Sequence, residues 1–599
     1  MPPKNFLLRD LLSLTLFLSL LFGAFLGTRP LMVPDEGRYA EIPREMVESG
    51  DYLTPHLNYI KYLEKPPLFY WMEATSIKAF GLSEWGLRAV VGIMSLLACL
   101  AVYLAGLKLY DRRTGILSCL ILATCALYFS MSRFVITDMP LTTWMSISLL
   151  LFIMGTQEPT APTAPTAPKG YLSKLAFCSK TRRNAREQRS LLDVNEQQSG
   201  HYNTVLGQKS NFQRCPKRCF YFWGMYTCAA LAVLTKGLIG AVLPGMIIFV
   251  WLLITNNWKQ LKTYCLPTGI LLFLLIATPW HLLVQLQNSE FFRFYFIDQH
   301  FLRYLTDYAG RGQAIWFFPA ITLGGFFPWV CFLVAFTLPL RKEHSGGGDR
   351  SSLFFILWAA VLFVFFSLSK SQLLSYALPI MPPLAILTAS YFSRHWEDAS
   401  NPAIKLGFLL VALFGTLISI GGAIALHIHP LSSPTLAYAG LLVLFIGTLA
   451  SGLFYWRRGI RAGLTTLLLT AGIFFVIGDI TYPYIDTRSV KPLVATLKPL
   501  LKPTSEVVTY HEYYQDLPAY LGQRITVVDY KGELAFGIEH QDTSAWMLDE
   551  DTFWQRWYNK AGMFMIVSKT DYSAFSARHR AHSRLIDQTT SNVLLSNAP

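Results

Sequence analysis

Ionisable side chains are scarce in this sequence, and the ones beside apolar stretches are the natural candidates for chemistry. Asp35, Glu36 and Arg38 follow the first apolar stretch, and Glu64 and Lys65 stand in YLEKPP. Arg133 and Asp138 flank RFVITDMP, and Lys236 lies in LTKG. Asp298, His300 and Arg303 share one loop, and Lys370 and Tyr376 open a later apolar stretch. Acids such as Asp35, Asp138 and Glu64 can act as bases or metal ligands. Cations such as Arg38, Lys65, Lys236, Arg303 and Lys370 can neutralise phosphate. Charge at a bilayer is expensive and usually functional. An acid set beside a cation set at one membrane face therefore suits chemistry on a phosphorylated lipid. Each residue alone is more often a solvated loop charge; the signal is their convergence.

That convergence depends on the elements that carry them. Of the 599 residues, 53% are apolar and 15% charged, against about 25% charged in soluble domains. A bilayer-spanning helix needs about 20 mostly apolar residues. By that measure about thirteen stretches qualify, at 7–27, 87–107, 115–132, 138–155, 220–235, 237–255, 264–284, 314–338, 352–369, 373–392, 405–427, 434–455 and 462–481. The first is too long for a signal-peptide core and lacks a small-x-small cleavage site, so it reads as an uncleaved anchor.

The formal net charge is +14, but the basic residues concentrate in alternate loops: Lys108 to Arg113, 156–219, Lys259 and Lys262, Arg341 to Arg350, Arg394 and Lys405, and Arg457 to Arg461. That is the positive-inside pattern, not a nucleic-acid footprint. It places the N-terminus in the cytoplasm, all the ionisable candidates at the opposite face, and residues 482–599 outside the cytoplasm. The domain reading follows: a membrane domain over 1–481 and an outer α/β domain over 482–599.

Three segments stand apart. Loop 28–86 reads as an amphipathic helix (39–49), an extended stretch and an apolar helix (67–80), lying at the outer interface. Residues 156–219 hold PTAPTAPTAP and TRRNAREQRS, a flexible basic insertion on the cytoplasmic side. Residues 482–599 carry strand-like EVVTYHE, RITVVDY and MFMIVSK between helices near 489–501, 513–521 and 551–559, a small α/β pattern without a nucleotide-binding glycine motif. None of the nine cysteines falls in that last segment, so no disulfide staples it. The CPKRC pair is read as two loop cysteines rather than a metal half-site.

PDEGRYAEIPREM, GDYLTPHL and YLEKPPLFYW, then TDMP, LTKGLIGAVLPG, TPW, QHFLRY and LSYALPIMPPLAIL, resemble the aminoarabinose lipid A transferase family. These are polyprenyl-phosphate-dependent glycosyltransferases of GT-C type, related more distantly to protein O-mannosyltransferases. The resemblance covers about residues 5–395 apart from the insertion. It implies an α-helical polytopic membrane protein with thirteen transmembrane helices, outer juxtamembrane helices and a C-terminal periplasmic α/β domain. It implies an undecaprenyl-phosphate-linked sugar, typically aminoarabinose, as donor and a lipid A phosphate as acceptor, in the bacterial inner membrane. It further implies Asp35 as the main catalytic acid and Asp138 as the second. Lys65, Arg303, Tyr39, Tyr62 and Tyr376 would meet the carrier phosphate, with Arg38, Lys236 and Lys370 adding charge. Glu64 and His300 would hold a divalent ion (Zn, Mg or Mn), and no nucleotide is needed. The chain would act as a monomer among membrane lipids, with no nucleic acid. One departure is SKSQLLSY, where Gln372 stands in place of a family lysine.

Two other functions compete. A lipid-sugar transporter should show mid-span charges and an internal repeat; the sequence shows neither, apart from Asp479 near the outer end of the last span. A related transferase acting on a protein or another glycan keeps the same donor chemistry with a different acceptor.

Overall fold

The computed structural model describes residues 5–157, 215–306, 310, 312–337 and 350–597. Among them, nine helices are long and apolar enough to cross a membrane, beginning with Phe6–Gly23 and ending with Ile460–Tyr484. Each coincides with one of the stretches picked out above. The remaining four stretches are helical too, but shorter, less apolar or broken: Arg112–Ala123 with Ala126–Met131, Cys215–Lys236, Ile239–Thr255, and Phe317–Gly325 with Val330–Thr337. The basic insertion lies almost wholly outside the described residues.

The two broken spans correct the expectation of uninterrupted helices, and they answer each other. Backbone groups in a bilayer must be satisfied internally, so a break survives only where protein covers it. The Ala126 amide, at the first break, donates to the Phe327 carbonyl at the second (3.0 Å). The Trp329 indole donates to the Thr124 hydroxyl (3.2 Å) across the same contact. The span at 373–392 also opens irregularly, as a tight turn Leu374–Ile380 followed by the helix Met381–Arg394. Pro379, Pro382 and Pro383 remove the amide donors a regular helix would need there.

The segment read from the sequence as the outer loop, residues 28–86, is two helices and a hairpin. Asp35 and Glu36 occupy the first turn of Asp35–Ser49, where acids complement the helix dipole. A two-residue turn at Asn58 and Tyr59, both at positive φ (54° and 62°), joins His56–Leu57 to Ile60–Lys61. The second helix is Leu68–Phe80.

The C-terminal domain is a six-stranded sheet in the order Met547–Leu548, Thr526–Val528, Glu506–Tyr510, Met563–Ser568, Asn592–Ser596, Arg584–Gln588. The first four strands are parallel and the last two pair antiparallel. Three of its α-helices, Lys491–Leu497, Asp516–Leu521 and Glu550–Asn559, fall where the sequence pattern puts them. The terminal antiparallel pair was not anticipated: Arg584–Gln588 is a largely exposed edge strand without a clear apolar alternation.

The domain is seated on the outer loop. The Asn58 side-chain amide exchanges two hydrogen bonds with the Ile525 backbone (3.0 Å each), just ahead of the strand Thr526–Val528. Gly37 faces the backbone at Gln515 and Asp516 so closely that a Cβ has no room.

Beneath this seam lies a buried ion network. The Glu36 carboxylate, fully buried, accepts from Arg29 (2.9 Å) and from Arg88 (2.7 and 2.9 Å). It also accepts from the Met32 and Val135 amides (2.9 and 3.1 Å). Arg29 and Arg133 reach Asp479 in the last span (3.3 and 2.9 Å). Arg88 spends its other donors on the Leu26, Arg29 and Pro30 carbonyls. Arg133 and Asp479, counted above among outer-face and span charges, thus belong to the scaffold. Burial opposes ionisation of Glu36, but Arg29 and Arg88 outweigh it and hold its carboxyl down at about 2. A depressed carboxyl stabilises the fold above its ordinary value and loses that contribution only as pH falls toward 2. Glu36→Gln should therefore cost about 3 kcal/mol or more, because two buried guanidinium groups lose their counter-charge. Thermal unfolding in detergent reads this, and an unchanged melting temperature would contradict it.

Candidate active site

The site is built where the loop over 28–86 meets the ends of four other chain regions. The segment after the hairpin brings Glu64 and Lys65 inward. The carboxylate of Glu64 lies 3.8 Å from Lys65 and 3.9 Å from Arg303, with both partners less than one-fifth exposed. Asp138, the first residue of its helix, accepts from Lys236 at 2.5 Å. The Lys236 ammonium also sits 5.0 Å above the Tyr376 ring. Arg303 carries the influence of Tyr376, Glu64, Tyr62 and Tyr39 on its charge, and Lys65 that of Arg303, Glu64, Lys236 and Arg38. One cluster therefore gathers Arg38, Tyr39, Tyr62, Glu64, Lys65, Asp138, Lys236, Arg303 and Tyr376. Asp35 stands at its edge, half exposed, with Arg38 at 3.1 Å.

Lys65 and Arg303 share the single carboxylate of Glu64, so the local balance there is positive. Burial, then Arg303, Lys236 and Arg38 push the Lys65 ammonium down to about 7, against the single restoring charge of Glu64. Burial works against the Glu64 carboxylate too, but Lys65, Arg38 and Arg303 hold it below the usual carboxylate range. Burial pushes the Tyr39 and Tyr62 hydroxyls up, so both stay protonated donors. Buried, crowded cations, one of them holding its proton less tightly than usual, ringed by neutral phenols, form a place for a multiply charged anion.

Two expected residues take other parts. Lys370 is exposed and makes no ion pair among the described residues, and its amide donates to the Tyr304 carbonyl (3.2 Å). His300 is held on both ring nitrogens. Nδ1 lies 2.6 Å from the Tyr295 carbonyl, so it carries the proton, and Nε2 accepts from the Leu238 amide at 3.1 Å. Gly237, at φ 96°, lets the backbone approach that ring. With its lone pair engaged and cations around Glu64, the pair does not fit a divalent ion. Among the described residues, no group of three or more His, Cys, Asp or Glu is arranged for a metal. Gln372, the departure in SKSQLLSY, is buried and donates to the Ser367 and Ser369 carbonyls (3.2 Å each), bracing the turn before Tyr376.

The structure adds Glu533. This C-terminal-domain acid pairs with Arg38 and accepts from Gln515 (2.9 Å). No sequence signal singled it out, because its partner lies almost five hundred residues earlier. A charged residue in an otherwise apolar stretch, KGELAFG, was the available hint.

The chain is similar to known proteins in sequence and in fold. Residues 8–173 match the model for dolichyl-phosphate-mannose-protein mannosyltransferase, and residues 493–597 match that for the aminoarabinose transferase C-terminal domain. The chain is 25% identical over 581 residues to the undecaprenyl phosphate-alpha-4-amino-4-deoxy-L-arabinose arabinosyl transferase of Pectobacterium carotovorum, covering 94% of this chain and 93% of that one. The same-named protein of Edwardsiella ictaluri is 26% identical, with 90% of each covered. The crystal structure of ArnT from Cupriavidus metallidurans bound to undecaprenyl phosphate superposes with a TM-score of 0.78, 24% identity, and 100% and 99% of the two chains covered. The chain is a relative of the aminoarabinose transferases. Like them it is a multi-pass membrane protein of GT-C fold.

If Lys65 meets the carrier phosphate of this transferase relative, the charged ammonium is the binding form. Its population falls as pH rises through about 7. Affinity for undecaprenyl phosphate should then fall by up to about tenfold per pH unit above that point. Lys65→Arg, charged throughout, should flatten the profile. Tryptophan-fluorescence titration between pH 6 and 9 measures both, and identical slopes for the two proteins would remove Lys65 from the phosphate.

Proposed function

We propose that the chain transfers 4-amino-4-deoxy-L-arabinose from undecaprenyl phosphate to a phosphate of lipid A. The reaction runs at the outer face of the bacterial inner membrane, with the N-terminus in the cytoplasm and the C-terminal domain in the periplasm. The observation that carries this reading is the cluster of Lys65, Arg303 and Lys236 around Tyr39, Tyr62 and Tyr376, with the half-exposed Asp35 beside it. The names of the full-length relatives supply the sugar and the carrier.

The chemistry follows from charge. A sugar linked to polyprenyl phosphate is already activated, so no nucleotide takes part. In a single inverting displacement an acceptor oxygen forms a bond to the anomeric carbon, and the bond from that carbon to the carrier phosphate oxygen breaks. The electron pair leaves with undecaprenyl phosphate. Lys65 and Arg303 are placed to meet the charge that develops there, and preorganised cations in a water-poor site act strongly on such charge. Lys236 adds a third cation. Asp138, neutralised by Lys236, fixes the position of that ammonium instead of serving as a base. Asp35 is free to take the acceptor's proton where it carries one, and Arg38, anchored by Glu533, orients it. An acceptor phosphate is already nucleophilic, so most of its demand is for positioning.

Asp35→Asn and Lys65→Ala should each lower transfer by about a hundredfold or more while the protein still inserts and elutes normally. Mass spectrometry of lipid A from cells with and without the gene is the direct check. A pentosamine added only when the gene is intact supports the reading. An unchanged lipid A spectrum with a newly glycosylated protein would favour the related transferase instead.

A further inference from the structure

A second cationic place exists, away from the Lys65 cluster. Between the first turn of Glu84–Leu109 and the C-terminal domain lies a cavity of about 360 Å³. Leu31, Leu82, Leu87 and Leu521 line it together with Lys491 and Lys498. Lys491 pairs with Glu84, whose carboxylate also accepts from the Tyr520 hydroxyl (3.1 Å). That hydroxyl in turn accepts from the Leu31 amide (2.7 Å), so the walls are tied together. Lys498 is exposed and makes no ion pair among the described residues. Two lysines against one glutamate leave the cavity with an excess positive charge.

Its height in the membrane is set by its neighbours. Glu84 begins a span, and Phe80, Leu82 and Trp85 beside it are 59%, 39% and 46% exposed. Exposed aromatic residues at a span end mark the membrane–water interface. A cavity there with leucine walls and a spare lysine matches one chemistry: a phosphate carried by a lipid. One of its walls is close along the chain to the reacting centre. Leu31 precedes Asp35 by four residues, so their Cα atoms lie no more than about 15 Å apart. A phosphorylated disaccharide headgroup can bridge that span.

We propose that this cavity is an acceptor subsite. It holds one phosphate of the lipid A headgroup at Lys498 and Lys491 while another phosphate lies at Asp35. The proposal rests on the transferase reading above and adds how the acceptor, as opposed to the donor, is held. It separates the two substrates: the carrier phosphate at Lys65 and Arg303, the acceptor's distal phosphate at the seam with the C-terminal domain. It also gives that domain a share in acceptor choice.

The test uses the full chain in detergent with undecaprenyl-phosphate aminoarabinose and bisphosphorylated lipid A. Lys498→Glu, at an exposed unpaired position, should leave folding intact. It should raise KM for lipid A about tenfold, with kcat within about twofold and binding of undecaprenyl phosphate unchanged; Lys498→Arg should restore KM. An unchanged KM for Lys498→Glu overturns the subsite. Phosphatidylglycerol and inorganic phosphate are added to the wild type at matched concentrations, and neither should raise KM for lipid A. Competition by phosphatidylglycerol as strong as self-competition would make the cavity a general anionic-lipid site. Equal competition by inorganic phosphate would make it a simple anion site. Either result overturns the proposal. If the wild type transfers no sugar to lipid A, the parent reading fails. Lipid A binding that Lys498→Glu abolishes would then still support the cavity, and binding it leaves unchanged would overturn it.

Discussion

The fold hangs on a charge that has no business in the interior except as a knot. Glu36 is sealed between Arg29 and Arg88, and Arg29 and Arg133 meet again at Asp479. A buried ion network adds little net stability over apolar packing of the same volume, but breaking one partner is costly. Its value here is register. The five side chains come from the first span's exit, the outer helix, the second span, the turn before Asp138 and the last span. Only one relative placement of those elements satisfies all of them. That placement also points Asp35, the neighbour of Glu36, the other way, out to the edge of the reaction centre.

The neighbouring pair Asp35 and Glu36 therefore divides one helix turn between function and structure. Both complement the helix dipole, so sequence treats them alike. One carboxylate is buried among guanidinium groups and the other is half exposed beside a single arginine. A similar division separates Arg133, which the network consumes, from Lys65 and Arg303, which share the one carboxylate of Glu64. A site for a phosphate works on that surplus, because the ligand supplies the missing counter-charge.

The C-terminal domain takes part in this arrangement. Gly37 admits its backbone, the Asn58 side chain bonds the Ile525 backbone, and Glu533 holds Arg38. Such contacts between residues hundreds of positions apart are invisible to periodicity. The helical spans were legible because twenty apolar residues in a row have few alternatives in water or lipid. Their breaks were not, because Ala126 and Phe327 repair each other only after both helices have packed. The strands at 506–510, 526–528 and 563–568 were legible as buried apolar runs. The exposed edge strand at 584–588 carried no such signal.

The sequence by itself determined the membrane class, the gathering of acid and cation motifs near span ends, and the resemblance that names a donor chemistry. Those properties are local: apolar length, charge asymmetry between loops, and short motifs such as YLEKPP and TDMP. Tertiary structure alone decided which charges pair. It removed Lys370 and the Glu64–His300 metal pair from the candidates, since one side chain faces solvent and the imidazole's lone pair is taken by the Leu238 amide. It added Glu533 and the lysine-lined cavity at Leu31. Pairing depends on distances through space within a low-dielectric interior, where a few ångströms decide whether a charge is spent on the fold or left for a substrate.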